Sequence, residues 1–125
     1  MTDQAKRDID AIKRQEELLV FESFDQNTAW QLGSLLRERA VNHNWPIVID
    51  IRAGETPLFY AALPGTTPAN SDWARRKRNL VNKLEMSSYS IGLHISIGQN
   101  ILEFMALDAR DHAPAGGCVP IRVKG

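Results

Sequence analysis

The densest chemistry in the chain lies in "PGTTPANSDWARRKRN", Pro64 to Asn79, where a turn, a helix start and four consecutive cations, Arg75, Arg76, Lys77 and Arg78, follow one another. Such residues can cradle a phosphate, neutralise a nucleic-acid backbone or hold a small anion. Thr66 and Thr67 add hydroxyls beside a helix start, where free N–H groups suit an anion. Arg75, however, comes seven residues after Pro68, about 10 Å along a helix axis. No lysine follows the glycine as a phosphate-binding loop requires. On a helix opening at Pro68, Trp73, Lys77, Leu80, Val81 and Leu84 share a face, while Arg75, Arg76, Arg78, Asn79 and Lys83 fall elsewhere. Four adjacent cations therefore cannot meet one ligand. Lys77 is the cation on the apolar side, with Trp73 expected in the core. Its stem packs beside Trp73, and its ammonium either escapes to water or holds a carboxylate or phosphate in a pocket. The arginines read as solvated or paired with acids such as Asp72 and Glu85.

His43, His94 and His112 are far apart, with no pair at ligand spacing, and Cys118 has no second cysteine. No structural metal site is expected. A cofactor metal can be held by one imidazole, so His94 and His112 stand as candidates. Cys118 as a nucleophile would need a base, for which His112 is nearest. Gly116 and Gly117 allow a loop or a close backbone approach, and their N–H groups would line a pocket opposite Lys77. Asp50 shares a strand face with Val48 and Arg52, and pairing with Arg52 is the simple reading.

These residues need elements to place them. Ala5, Ile9, Ile12 and Leu19 recur at helical spacing and predict an amphipathic helix from Asp3 to Leu19. Asp25 is a good helix cap, and Ala29, Leu32, Gly33, Leu36 and Ala40 make the stripe of a second helix, Gln26 to His43. The run Ile47–Val48–Ile49, the turn "AGET" and the run Leu58–Phe59–Tyr60 predict a β-hairpin. Thr67 followed by Pro68 starts a third helix, running to about Leu84, with the threonine hydroxyl as its cap. "SSYSIGLHISIGQN" satisfies both a strand and a helix pattern and is read as helix. "ILEFMALDARDHAPAGG" reads as a short helical turn and loop, and "CVPIRV" as a third strand. The fold class is mixed α/β (α+β).

A chain of 125 residues suits one domain with one core, and 43% apolar with 24% charged residues is ordinary for a globular chain. Fifteen cations balance fifteen anions, so no overall field draws the molecule to nucleic acid or an acidic membrane. Binding of nucleic acid through Arg75–Arg78 is accordingly disfavoured. The single cysteine favours a reducing compartment, and the charged amino terminus lacks a signal-peptide core. The cytoplasm is the expected location, with no membrane partner.

"FDQNTAWQLG", "PIVIDIR", "LFYAALPGTTPANSDWARRKRN", "SSYSIGL" and "GGCVPIRV" occur in an order and spacing that resembles an uncharacterised branch of the heme-degrading-domain, GlcG-like or HbpS-like family. The resemblance covers about residues 17 to 125. It implies a profilin-like antiparallel sheet flanked by helices, with three-layer character, and assembly into homo-oligomers. It also implies a single domain over 1–125 that lacks the family's carboxy-terminal strand and helix. Ala115 stands where the branch usually carries a histidine before the glycine pair, so that histidine's role does not transfer. The expected function is a homo-oligomeric binding or assembly role, with a pocket for a small anionic ligand formed by Lys77, Thr66, Thr67, Gly116 and Gly117. A heme-binding or heme-degrading role is the alternative, with His94 or His112 as the axial ligand.

Overall fold

The structure is a computed structural model and describes residues 2–125. It is α+β: α1 (Thr2–Leu18), β1 (Val20–Phe21), α2 (Gln26–Asn42), β2 (Val48–Ala53), β3 (Thr56–Ala62), α3 (Pro68–Leu84), α4 (Ser88–Ser96), α5 (Ile101–Phe104) and β4 (Arg122–Val123). The chain forms two compact units, one of Glu22–Ala74 and one of Arg75–Gly125 with the amino-terminal segment to Phe21.

In Glu22–Ala74, α2 opens on a capping box. The Asp25 carboxylate accepts from the Thr28 N–H at 2.9 Å, while the Asp25 N–H donates to the Thr28 hydroxyl. The Thr28 N–H, and after it the Thr28 hydroxyl, hold the Asp25 carboxyl below its ordinary value. β2 and β3 pair antiparallel, with Ile49 opposite Ala61 and Ile51 opposite Phe59, and the register shifts between Ile51 and Arg52. Alternation puts Ile49, Ile51 and Phe59 on the buried face. Gly33 is the residue that lets α2 close on this sheet, because any Cβ there would run into the Phe59 ring. The Trp30 ring meets the same phenyl edge-on, with centroids 5.3 Å apart. Asp50 and Arg52 do pair, at 3.0 Å. Leu36, placed in the core stripe by periodicity, is instead exposed, since a narrow helix stripe suffices to cover two strands.

In the other unit, Leu80, Val81, Ile91 and Ala113 are the buried apolar residues. The ambiguous "SSYSIGLHIS" segment is helix, capped by the Ser87 side chain, which accepts from the Ser90 N–H. The third strand is shorter than expected: of "CVPIRV", only Arg122–Val123 is strand, paired in parallel with β1. Pro120 has no N–H to give a ladder. Cys118 turns its backbone to α4 instead, its N–H donating to Ser88 Oγ at 3.1 Å and its carbonyl accepting from the Ser88 N–H at 2.9 Å. Leu19, the last member of the α1 stripe, is 71% exposed just past the helix end. Among the described residues, no helix is long and apolar enough to cross a membrane.

Candidate functional site

The basic run is not a free cationic surface. Arg75 Nη1 meets Asp111 Oδ1 at 2.9 Å, and Nη2 donates to the Arg110 carbonyl. Arg76 donates twice to the Ala109 carbonyl, at 2.7 and 3.2 Å. Asn79 Nδ2 donates to the Asp111 carbonyl, and the Ala113 N–H returns a bond to the Arg76 carbonyl. Of the two readings for these arginines, solvated or paired with acids, Arg75 follows the second through Asp111, and Arg76 adds a backbone carbonyl as partner. One turn of α3 clamps the loop from residue 109 to 113, because guanidinium forks suit lone pairs that a loop leaves outside any ladder. Within that loop, Arg110 grips Asp108 first through its side chain and then through its N–H. This holds the Asp108 carboxyl below its ordinary value and raises the Arg110 guanidinium.

Trp73 does not sit in the core and is 46% exposed. Lys77 is half-buried, and its Nζ lies where a Cβ on Gly117 would come within 3.2 Å. Gly117, at φ +127°, combines a left-handed backbone with this close approach. Gly116 lies against the Tyr89 ring. Thr66 and Thr67 belong to the other unit. The Thr66 hydroxyl donates to the Leu63 carbonyl at 2.8 Å, and the Thr67 N–H donates to Asn70 Oδ1 at 2.9 Å. The helix start is thus capped by the Asn70 side chain reaching back, a contact that a Thr–Pro reading alone does not suggest.

A cleft of about 620 Å³ lies in the unit that contains α1 and α4. Ile9, Asp10, Lys13, Glu16 and Glu17 of α1 line it, with Met86, His94 of α4 and Arg122, so carboxylates outnumber cations three to two. It follows from the residues below it. Glu16 Oε1 accepts from the Ser87 N–H at 3.1 Å, tying α1 to the start of α4. Glu16 Oε2 lies 3.5 Å from the Arg122 guanidinium, which also donates to the Glu85 carbonyl. Ser90, small and buried, lies one turn before His94 on α4, and both face the cleft. His94 is half-buried, and its Nδ1 lies 2.6 Å from Gln99 Oε1. His112 sits in the clamped loop with Nδ1 2.9 Å from the Asp108 carbonyl, and the exposed His43 stacks on Trp45. Among the described residues, no group of three or more His, Cys, Asp or Glu could hold a metal ion. Sequence reasoning named His94 but not its neighbours in the cleft, since Lys13, Glu16 and Arg122 are brought together from opposite ends of the chain.

Comparison with known proteins gives this arrangement its context. A UPF0303 protein of Acidobacterium capsulatum is 52% identical over 118 residues, covering 94% of this chain and 72% of that one. A UPF0303 protein of Rhizobium etli is 49% identical over 118 residues, again 94% of this chain and 72% of the relative. The solved structure of the Ybr137w protein superposes with a TM-score of 0.79 at 25% identity, covering 93% of this chain and 69% of that one. The family model described as "Haem degrading protein HbpS-like" matches residues 24–125. With that model spanning most of the chain and relatives at half identity, the protein belongs to the HbpS-like, heme-degrading-domain family and to its uncharacterised UPF0303 group.

Proposed function

We propose that this protein binds heme in the cleft beside α1 and α4, with His94 as the axial ligand. The observation that carries the reading is the His94 ring, which lines the cleft while its Nδ1 is engaged by Gln99 at 2.6 Å. An imidazole ligand needs one nitrogen held and the other available, and this pairing supplies both. The cleft volume falls within the roughly 300–1,000 Å³ of small-molecule and cofactor sites. Ile9 and Met86 offer apolar contact to a macrocycle and Lys13 a cation to a propionate, while the carboxylates of Asp10, Glu16 and Glu17 line the same cleft and Glu16 already engages Arg122. Bound heme supplies redox and oxygen chemistry at iron. The chain's own part is to bind, orient and half-enclose it. His112, held in the loop beside α3, does not line this cleft. Titrating the purified protein with hemin and following the Soret band tests the reading: a saturable shift is expected, lost in His94→Ala and retained in His112→Ala. An unshifted wild-type band, or a shift that survives His94→Ala, refutes it.

The same reading takes the protein to work as a homo-oligomer. Exposed Trp30, Leu35, Val41 and Tyr60 on Glu22–Ala74 support self-association. Sedimentation velocity checks this, with Trp30→Ser expected to shift the distribution towards monomer.

A further inference from the structure

The two strands of the hairpin in Glu22–Ala74 present unlike edges. β2 carries Asp50 and Arg52, which pair with each other, whereas β3 carries no charged residue and its one proline, Pro57, stands near its start. Charges and prolines are what keep a strand edge from adding a further strand. At the far end of the hairpin the Leu63 N–H donates to the Ile47 carbonyl at 3.1 Å. Alternation through the regular part of the register then aims the Ala61 and Phe59 backbone at β2, and the Tyr60 and Ala62 N–H and C=O groups at the outer edge. Tyr60 and Ala62 are both exposed, and the Tyr60 hydroxyl is held by Ser71 Oγ at 2.6 Å. A groove of about 480 Å³ runs beside this edge, with Phe59–Ala61 on one side and Trp30, Arg37, Glu38 and Val41 of α2 on the other.

We infer that a second copy of the chain docks here, β3 against β3 in antiparallel register about Ala61. Tyr60 and Ala62 of one copy then exchange N–H···O=C bonds with Ala62 and Tyr60 of the other. The inference rests on the self-association proposed above and names its contact. Three features select a second copy as the occupant. Arg37 and Glu38 are neighbours on the groove wall, and a two-fold axis reverses their order in the other copy, setting each charge against its opposite. α2 lies over both strands of its hairpin, so joining two hairpins edge to edge brings the two copies of α2 two strand spacings apart, about 10 Å, which is the distance at which helices pack. Trp30, 64% exposed, and Val41, 45% exposed, fill that seam. The joined sheet has four strands, where a lone two-stranded hairpin is only marginally stable.

Sedimentation velocity on the wild type gives the dissociation constant, and hydrogen exchange is then read above and below it. The Tyr60 and Ala62 amides are expected to be protected only in the associated protein, while the Phe59 and Ala61 amides, bonded within the hairpin, stay protected in both. Ala62→Pro removes an N–H that the hairpin does not use and should weaken association about 10- to 100-fold, because the bond is lost twice across the two-fold. Arg37→Glu should also weaken it, and Arg37→Glu made together with Glu38→Arg should restore it. Should Ala62→Pro unsettle the hairpin, the charge exchange reads the same contact without touching a strand. Association in which the Tyr60 and Ala62 amides exchange freely, or which the exchanged charges do not restore, overturns the strand contact and leaves self-association standing. A wild type that stays monomeric from micromolar to millimolar concentration leaves the edge to a strand of some other protein and overturns both.

Discussion

Glu22–Ala74 is held by apolar fit: a helix with a bare backbone at Gly33 laid on the ring of Phe59, over Ile49 and Ile51. Arg75–Gly125 with α1 has Leu80 and Ile91 at its centre, but much of its order comes from polar side chains that reach backbone groups far along the chain. Arg76 reaches Ala109, Asn79 reaches Asp111, Glu16 reaches Ser87, and Ser88 reaches Cys118. Apolar fit is intolerant of volume change because a packed interior has no slack. Polar ties to loops are individually weaker, since each replaces a bond to water. They leave open, partly polar space of the kind in which His94 lies. The unit with the looser apolar framework carries the candidate chemistry.

The largest expected effect falls on the apolar unit. Phe59→Ala should cost about 4 kcal/mol of stability through lost transfer and the cavity left behind, read from urea denaturation. Gly33→Ala comes next, at about 1–3 kcal/mol, because its new methyl must displace the Phe59 ring. If the contact is the cause, Gly33→Ala made together with Phe59→Leu will cost less than the two changes summed; strict additivity would break the comparison. In the polar unit, Arg76→Ala should cost about 1 kcal/mol and speed hydrogen exchange at the Ala113 amide while leaving the Ile91 amide protected. Equal acceleration at both would mean that the clamp supports the whole unit. Lysine at position 76 should not restore the protection, lacking the fork that makes two bonds to one carbonyl.

The smallest effect is on the acid side. Asp108 and Asp25 both have folded values depressed below the ordinary carboxylate value. A depressed acid contributes stability that is present above its unfolded value and is lost as pH falls through the folded one. Melting temperature should therefore fall as pH drops below about 4. Asp108→Asn should flatten part of that fall, and 1 M salt should shrink the Arg110 contribution because the pair is exposed. A Tm profile unaffected by either change would show that this ion pair contributes nothing to the polar unit.

Local rules carried far in this chain. Asp25 before an apolar stripe, Thr67–Pro68 before another, and paired β-branched runs around "AGET" were sufficient for α2, α3 and the hairpin, since caps, turns and periodicity act within a few residues. The length given to the "CVPIRV" strand and the reading of Trp73 as core went astray for one reason. Both depend on what lies opposite, and for Cys118 that was Ser88, thirty residues away. Gln99 was legible in principle: a glycine four residues after His94 marks a helix end that folds its next residue back onto the histidine.

By itself the sequence determined the α+β class, most of the helix and hairpin bounds, the family to which the chain belongs, and His94 as one of two heme-ligand candidates. Tertiary structure decided the rest. It turned Arg75 and Arg76 of "RRKRN" into a loop clamp, and it set Lys13, Glu16 and Arg122 around one cleft. The division follows from range. Backbone propensity and capping are encoded by neighbours in the chain, whereas a side chain's partner, and so its chemistry, is chosen by whatever the fold brings within about 3 Å of it.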